Sequence, residues 1–266
     1  MAKKRADILL YEKGLTSSRE KAKRIIMEGT VFIGDMRIDK PGEKYSEDVD
    51  IYIKTNPLKY VSRGGYKLEK AIEKFNLNLS GNIAMDIGAS TGGFTDCMLK
   101  NGVEKVYAID VGYGQLDWNL RNDDRVIVME RTNIRHVTKE KINNEIDFIS
   151  IDVSFISLRL VLPVAQHLLK ENGEIVALIK PQFETSPDKV GKNGIIRNKD
   201  VHLEVLRNII NYINSLNLGV LNLSFSPITG AKGNIEFLIH LKNNIRDRFS
   251  DDIITDIVNK AHSTFK

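Results

Sequence analysis

From residue 83 onward, short apolar runs alternate with stretches of helical periodicity, and this alternation limits the possible folds more than any other feature. Runs of four to eight apolar residues bounded by turns are typical of buried strands, whereas apolar residues every three or four positions indicate helices. Strands separated by helices form a parallel sheet, so we predict an α/β fold that finishes in a hairpin-like pair. The predicted strands span 83–87, 105–110, 126–129, 146–151, 174–179, 219–226 and 235–241, and the predicted helices span 66–77, 92–101, 157–170 and 200–216.

The N-terminal part of the chain has a different texture and predicts a small α+β unit. Two short helical patterns, separated by a turn at Gly14, precede several short β-type runs. The segment 55–58 contains Pro57, which disfavours helix before it and indicates a linker. Because 266 residues are enough for two domains, we predict domains at 1–58 and 59–266.

Positive charge is concentrated at the N-terminus. Residues 1–24 carry eight basic and three acidic side chains, a net charge of +5, although the whole chain has a formal net charge of only +4. A basic head on a near-neutral body suggests a polyanionic partner such as RNA. The alternative for such charges is a solvated helix face.

Cysteine, histidine and hydropathy patterns exclude several classes of protein. The single cysteine, Cys97, rules out an internal disulfide and multi-cysteine zinc sites, and it lies in an apolar helical stretch where we expect it to be buried. The five histidines are scattered, so we expect no metal. Apolar runs are too short for a membrane span or a signal-peptide core, which predicts a cytoplasmic protein. We favour a monomer.

A glycine-rich loop at 84–96 (AMDIGASTGGFTD) follows the first strand of the predicted sheet and opens a helix. Such a loop lets a ligand approach the backbone closely, but it also suits NAD, FAD or a structural turn. Asp110 stands at the end of the next strand, about 20 residues on, where a carboxylate can accept ribose hydroxyls. A nucleotide-type cofactor is therefore predicted at this loop.

The loop differs from the dinucleotide pattern G-x-G-x-x-G and resembles motif I of class I methyltransferases, whose cofactor is S-adenosyl-L-methionine. An acidic residue at Asp86 suits a cationic, amino-acid-bearing cofactor better than a pyrophosphate. The resemblance places Asp86 near the methionine end, Asp110 on the ribose and Asn133 at the adenine, although Asn133 could equally be a turn residue. The candidate cofactor-binding residues are Asp86, Gly88, Ala89, Ser90, Gly92, Gly93, Phe94, Asp110, Val111 and Asn133.

Four charged residues lie at the ends or beginnings of predicted elements: Lys67, Asp152, Lys180 and Glu236. Open α/β sheets place active sites at the carboxyl ends of their parallel strands, where Asp152 and Lys180 fall. Glu236 shares that edge only if its strand runs antiparallel. Taken singly, each could be an ordinary surface charge, so the hypothesis of a catalytic set depends on their meeting in space.

The N-terminal segment resembles the αL-type RNA-binding domain first recognised in a small-subunit ribosomal protein. The resemblance rests on an R-x-D-x-x-L opening, a G-L-x-x-S-R turn, an I-x-x-G-x-V step and a K-P-G bend. It implies that basic side chains of the second helix meet RNA phosphates. Arg63, beside a glycine pair, could reach RNA or cap the linker. The candidate RNA-binding residues are Arg5, Arg19, Lys23, Arg24, Lys40 and Arg63.

Together, the RNA-binding head and the Lys-Asp-Lys-Glu set resemble the TlyA family of FtsJ-like RNA 2′-O-ribose methyltransferases, whose members often carry the label hemolysin. The segments DIGASTGGFTD, AIDVGYGQL, ERTNIR, SIDVSFISL and LIKPQFE carry the match. The resemblance implies a Rossmann-like methyltransferase domain that uses S-adenosyl-L-methionine to methylate a cytidine 2′-hydroxyl in large-subunit (23S) ribosomal RNA. Small-subunit (16S) RNA is a second candidate target, and ribosomal subunits are the expected partners.

Alternative functions remain open at this point. A membrane-active hemolysin would need a membrane-spanning or strongly amphipathic segment, and the mildly amphipathic stretch 251–265 is explained by packing on the sheet. A non-catalytic ribosome-binding factor would not need the Lys-Asp-Lys-Glu set. Base methylation usually shows an Asn/Asp-Pro-Pro-aromatic motif after the fourth strand, where this chain has Asp-Val-Ser-Phe. The polar loop 184–198 is either a mobile flap beside the substrate or a plain surface loop.

Overall fold

The computed structural model describes residues 3–27, 29–34, 36–54, 59–216, 218–245 and 249–265. The chain divides into two compact units, Met1–Leu58 and Lys59–Lys266. The predicted linker, 55–58, lies outside the described residues. Each unit has a hydrophobic core of its own.

The described residues of the N-terminal unit form two helices and five short strands. Its elements are β1 Lys3–Arg5, α1 Ala6–Glu12, α2 Arg19–Met27, β2 Val31–Ile33, β3 Met36–Arg37, β4 Lys44–Ser46 and β5 Ile51–Ile53. The strands form a three-stranded sheet of order β3-β2-β5 and a separate antiparallel pair, β1 and β4. β1 is absent from the sequence prediction because a Lys-Lys-Arg strand carries no apolar alternation.

Local sequence explains how the two N-terminal helices begin and end. Gly14 follows α1 with a positive φ of 71°, which a residue with a side chain rarely adopts. The Ser18 hydroxyl accepts a hydrogen bond from the Lys21 backbone N–H at 3.1 Å and so caps α2. The helices pack against the strands through buried apolar residues, among them Leu9, Leu10 and Ile26.

The second unit is a seven-stranded sheet with helices on both faces. Its elements are α3 Gly65–Phe75, β6 Ile83–Ile87, α4 Gly93–Lys100, β7 Lys105–Ile109, α5 Trp118–Arg121, β8 Val126–Met129, β9 Ile146–Ile151, α6 Leu162–Leu168, β10 Leu169–Ile179, α7 Lys199–Ser215, β11 Leu218–Phe225, β12 Phe237–Asn243 and α8 Asp251–Thr264. The strand order is β11-β12-β10-β9-β6-β7-β8. All neighbouring pairs are parallel except those of β12, which runs antiparallel to both β10 and β11.

Two apolar layers cover the sheet, one on each face. Residues of α6, α7 and α8 contribute to the first layer, and residues of α3, α4 and α5 contribute to the second. The central strands β6 and β9 are mostly apolar, as expected of strands buried on both faces, with Asp86 and Ser150 as buried polar exceptions. The amphipathic stretch near the C-terminus forms α8, whose Ile254, Ile257 and Val258 pack into the first layer.

The predicted helix over 157–170 is wrong in its extent. A 3₁₀ turn at Leu158–Leu160 precedes α6, which begins at Leu162 with Pro163 in its first turn, and the chain becomes strand at Leu169. Pro163 lacks the N–H that would continue a helix from the preceding turn. The start of β10 instead pairs with β9, Leu169 opposite Ile146, before the register shifts between Leu169 and Glu174.

The strand order and the direction of β12 decide where the functional residues meet. The order reverses direction beside β6 and β9, and the loops leaving the carboxyl ends of such strands form the ligand crevice of doubly wound sheets. Because β12 is antiparallel, its beginning lies at the same edge, with Phe237 opposite Ile179. Lys180 and Glu236 therefore stand next to each other, although Glu236 precedes β12 rather than starting it as predicted.

Candidate active site

A cavity of about 400 Å³ lies at the carboxyl ends of β6, β7 and β9. Its volume is in the range of small-ligand sites. Of the predicted cofactor residues, Gly88, Ser90, Asp110, Val111 and Asn133 line it, together with apolar neighbours such as Ile109, Ile134 and Ile156. The wall combines apolar side chains with carboxylates (Asp110, Asp152) and amides (Gln115, Asn133), a mixture that suits a nucleoside.

Backbone N–H groups fix the Asp110 carboxylate at the mouth of this cavity. One oxygen accepts a hydrogen bond from the Gly112 N–H at 2.7 Å, and the other accepts one from the Ser90 N–H at 2.8 Å. Each carboxylate oxygen retains further lone-pair capacity, so Asp110 can also accept bonds from a ribose diol. The backbone of Gly88 packs closely against Asp152. A Cβ atom at Gly88 would lie 2.5 Å from the Asp152 carbonyl oxygen, so only glycine fits.

Asn133 is a turn residue, and it also lies in the wall of the cavity. Its Oδ1 accepts a hydrogen bond from the Arg135 backbone N–H at 3.1 Å, which caps the 3₁₀ turn Ile134–His136. The residue also lines the cavity. Within the described residues its Nδ2 has no hydrogen-bond partner, so this donor is available to a ligand.

The structure places Asp86 away from the cavity, contrary to the expectation that it reaches the cofactor. Its side chain is 0% exposed and accepts hydrogen bonds from the hydroxyls of Thr95 at 2.7 Å and Ser150 at 3.0 Å. The physical reason is strand alternation, because Asp86 points to the same face as Ala84, towards α4, and not out of the strand end. Burial raises the pKa of this carboxyl to about 6.

Four further predicted cofactor residues also do not line the cavity. Ala89, Gly92, Gly93 and Phe94 are not part of its wall. Gly92 has a φ of 94° and packs against Leu120, and Gly93 opens α4 against the backbone of Gly64 and Gly65. They shape the loop instead of facing the ligand.

The four predicted charged residues come together as one ion-paired group, which we call the charge quartet (Lys67, Asp152, Lys180 and Glu236). Lys67 Nζ lies 2.7 Å from Glu236 Oε2 and 3.4 Å from Asp152 Oδ2. Lys180 Nζ lies 2.5 Å from Asp152 Oδ1 and donates a hydrogen bond to the Ser154 hydroxyl at 2.9 Å. Asp152 therefore bridges the two lysines.

The neighbouring charges of the quartet favour the ionised forms of Lys67 and Asp152. Burial disfavours the Lys67 ammonium, but Asp152 and Glu236 outweigh it and hold the pKa of Lys67 above its ordinary value. Burial disfavours the Asp152 carboxylate in the same way, yet Lys67 and Lys180 hold the pKa of Asp152 below its ordinary value. Two cations and two anions leave the quartet formally neutral.

A second cavity of about 740 Å³ adjoins the first and contains the functional ends of the quartet. Lys67, Lys180 and Glu236 line it, while Asp152 lines the smaller cavity. Ser90, Ser154 and Phe155 belong to both walls. The quartet thus stands at the junction of the two cavities.

Phe155 is a rim residue that sequence reasoning missed. Its side chain is 88% exposed, its φ is 63°, and its ring centroid lies 5.1 Å from that of Phe183. A positive φ is uncommon for a bulky residue, and an exposed aromatic ring gains nothing from folding. No periodic signal could have found it, although the aromatic residue after Asp-Val-Ser was visible in the motif.

The loop over 184–198 contains two 3₁₀ turns, Pro187–Lys189 and Lys192–Gly194. Val190 and Gly194 line the larger cavity, so the loop does lie on that side. The buried Asn234 fastens it by accepting from the Ile196 N–H at 2.9 Å and donating to the Gly194 carbonyl at 2.8 Å.

In the N-terminal unit, the buried Asp7 organises two of the predicted RNA-binding arginines. Arg5 Nε lies 2.9 Å and Arg19 Nη2 lies 3.4 Å from its carboxylate, and both arginine side chains stay partly exposed. Lys40 and Arg24 are exposed, and Lys23 is half-buried. Arg63, in the second unit, is exposed and lines the larger cavity.

Two structural features are absent from the described part of the chain. It contains no group of three or more His, Cys, Asp or Glu side chains placed to hold a metal ion. Nor does it contain a helix long and apolar enough to cross a membrane. Cys97 is buried, as expected.

Comparison with known proteins assigns each unit to a family. The FtsJ-like methyltransferase family matches residues 60–243, and the S4 domain matches residues 4–51. A solved structure of a protein named as a hemolysin, from Streptococcus thermophilus, superposes with a TM-score of 0.80 at 46% identity and covers 100% of this chain and 98% of the other.

Two relatives match over nearly their whole length. A Bacillus subtilis protein, YqxC, whose name places it among rRNA methyltransferases, is 50% identical over 99% of this chain and 96% of its own. The 16S/23S rRNA (cytidine-2′-O)-methyltransferase TlyA of Mycobacterium tuberculosis is 37% identical over 97% of each chain. With both domains and full-length relatives matched, the chain belongs to the TlyA family, in which an S4 domain precedes an FtsJ-like methyltransferase domain.

Proposed function

We propose that this protein transfers a methyl group from S-adenosyl-L-methionine to the 2′-hydroxyl of a cytidine in ribosomal RNA. The charge quartet carries the proposal, because it joins a nucleoside-sized cavity to a larger cavity at one point. The names of relatives from Mycobacterium tuberculosis and Campylobacter jejuni supply the cytidine and the ribosomal RNA. Large-subunit RNA appears in both names, and we propose it as the first target.

The residues of the smaller cavity fit the cofactor. Asp110 would accept hydrogen bonds from its ribose hydroxyls, and Asn133 would donate to its adenine, with Val111 and Ile134 as apolar walls. When bound, the cofactor supplies an electrophilic methyl group. Asp86, which lies beneath the loop, supports Thr95 and Ser150 and does not contact the cofactor.

Lys180 is the residue that we assign to the hydroxyl. Its ammonium lies between Ser154 and Asp152 at the wall of the larger cavity, where it can fix the direction of a ribose 2′-hydroxyl. Alignment alone contributes strongly to such a transfer. As the new O–C bond forms, Lys180 gives one ammonium proton to Asp152 across their 2.5 Å contact, and the nitrogen lone pair that this frees takes the hydroxyl proton. Lys67 and Glu236 act as positioning residues that hold Asp152.

We further propose that residues 1–58 bind RNA and that residues 59–266 carry catalysis. Arg5 and Arg19, aligned by Asp7, offer a pair of guanidinium groups to phosphates. The substrate places the enzyme in the cytoplasm with the ribosomes, and we expect it to act as a monomer. The exposed Phe155 offers a stacking surface for an unpaired base beside the quartet.

The test is transfer of labelled methyl groups to ribosomal RNA by the full chain, with nuclease digestion to identify the product. We expect 2′-O-methylcytidine, and Lys180→Ala should reduce kcat at least about 100-fold while the affinity for S-adenosyl-L-methionine is retained. Lys139→Ala, an exposed lysine outside both cavities, is the control. A methylated base, or substantial activity in the Lys180 variant, would reject the assignment.

A further inference from the structure

The larger cavity has two cationic side chains that its own carboxylates do not neutralise. Lys67 and Lys180 are balanced by Asp152 and Glu236. The remaining charged side chains of the wall are Arg63 and Lys232. Both are exposed, and neither has a carboxylate partner among the residues that the structure describes. The mouth of the cavity therefore carries two positive charges in excess.

The backbone of Lys232 is fixed in a tight turn at the wall of the larger cavity. The Gly233 N–H donates to the Gly230 carbonyl, and the Gly230 N–H donates to the Asn234 carbonyl, both at 2.8 Å. Gly233 has a φ of 96°, which glycine adopts readily. These bonds leave Ala231 and Lys232 at the tip of the turn.

The same turn contacts the charge quartet at Glu236. A Cβ atom at Gly230 would lie 2.6 Å from Glu236 Oε1, so the absence of a side chain there gives the carboxylate its place beside Lys67. Arg63 joins the turn from the other side, since its Nη2 donates to the Thr229 carbonyl at 3.4 Å. The tip, the second cation and the quartet are thus parts of one connected structure.

An RNA nucleotide that brings its 2′-hydroxyl to Lys180 also brings the two phosphates on either side of its ribose. Each phosphate carries a negative charge. Cationic side chains at fixed positions bind such phosphates and so fix the position of the RNA backbone. We infer that Lys232 binds one of these two phosphates and Arg63 the other. This inference rests on the proposed function, and it adds Lys232 as a substrate-positioning residue.

The experiment compares Lys232→Gln with Lys232→Arg in the full chain, using ribosomal RNA as the substrate. For Lys232→Gln we expect KM for RNA to rise roughly tenfold while kcat stays within about twofold of the unmodified protein. The slope of log affinity against log salt should fall by about 0.7–0.9, the contribution of one phosphate contact. Lys232→Arg keeps the charge and should keep both the slope and KM.

Lys139→Gln is the matched control, because it removes the same charge from an exposed lysine at a separate cleft near the amino end of β9. If Lys232→Gln and Lys139→Gln behave alike, or if KM rises with an unchanged salt slope, the inference is overturned. Failure of the proposed function would look different, since the unmodified protein would then form no 2′-O-methylated nucleotide. Unchanged affinity for S-adenosyl-L-methionine in Lys232→Gln separates loss of RNA contact from loss of fold.

Discussion

At the scale of single residues, Asp152 is the side chain that links the two lysines of the site. One carboxylate pairs with both lysines, and its own backbone carbonyl packs against Gly88 of the cofactor loop. Removing one partner from such a buried group leaves an uncompensated charge, which costs far more than the net stabilisation of the intact group. The quartet is therefore expected to respond to small displacements of any member.

Gly230→Ala tests this sensitivity without removing a charge. Its added methyl group must push Glu236 Oε1 away from a position 2.6 Å distant, so the Lys67–Glu236 contact lengthens. We expect kcat to fall between about 10- and 100-fold, a barrier increase of about 1.4–2.8 kcal/mol, with little change in cofactor affinity. Steady-state kinetics and calorimetric titration measure the two quantities.

Glu236→Asp provides the matching second change, because its shorter side chain makes room for the methyl group. In the double variant we expect the two losses to be less than additive, which a double-mutant cycle would reveal. Ala231→Gly, in the same turn, controls for altered turn flexibility. Full additivity would show that Gly230 does not act through Glu236.

Sequence reasoning located the charged residues of the site better than their neighbours. Lys180, Asp152 and Glu236 were predictable because they flank strands, and strand ends of an α/β sheet converge. Ser154 and Gly230 have roles that depend on distances to Lys180 and Glu236, which no periodic pattern encodes. The expected position of Asp86 was wrong because alternation along β6 turns its side chain towards α4.

At the scale of elements, α7 and α8 form the outer layer over β11 and meet through two histidines. His202 is fully buried, and its Nδ1 lies 2.8 Å from His262 Nε2. Burial and the neighbouring His262 lower the pKa of His202 to about 4. The prediction of the element boundaries succeeded for α7 and failed for α6, since Pro163 and the pairing of Leu169 with β9 overrode the apolar helical spacing.

The contact between α7 and α8 should weaken as the pH falls. His202 is neutral in the folded protein, whereas in the unfolded chain it takes up a proton below its ordinary pKa of about 6.5. Its contribution to the free energy of unfolding is thus complete above pH 6.5 and is lost towards pH 4, by up to about 3 kcal/mol. Hydrogen exchange of α8 amides between pH 7 and pH 4.5 would measure it.

His202→Leu fills the same buried position with a side chain that does not titrate. Its α8 amides should show a flatter pH dependence than those of the unmodified protein, while the contribution of the carboxyl groups remains in both. Equal slopes in the two proteins would mean that the histidine pair does not control the docking of α8.

At the scale of the whole molecule, the chain consists of two units with separate hydrophobic cores. The S4 domain has its own apolar cluster and the arginine pair Arg5 and Arg19 around Asp7, while the FtsJ-like domain has both cavities. The change of sequence texture near residue 55 made two domains predictable. The three-stranded sheet order and β1 were not, because strands of two or three residues carry too little pattern.

Calorimetry of the full chain should show that S-adenosyl-L-methionine stabilises one unit only. At a concentration of 100 times its Kd, a ligand that binds the folded form adds about 2.7 kcal/mol. For a unit of this size that shift corresponds to about 5–10 °C in Tm. We expect the transition of residues 59–266 to move and that of residues 1–58 to stay. Equal shifts of both transitions would contradict a cofactor site confined to the second unit.

The position of β12 between β10 and β11 affects when the active site can form during synthesis of the chain. Glu236 follows Lys180 by 56 residues, so at 5–20 residues per second its codon is translated about 3–11 s later. During that interval Lys67 and Lys180 have only Asp152 to share, and the strand that carries the last carboxylate has not yet entered the sheet. We therefore expect the nascent protein to be inactive until β12 has entered the sheet and brought Glu236 beside Lys67.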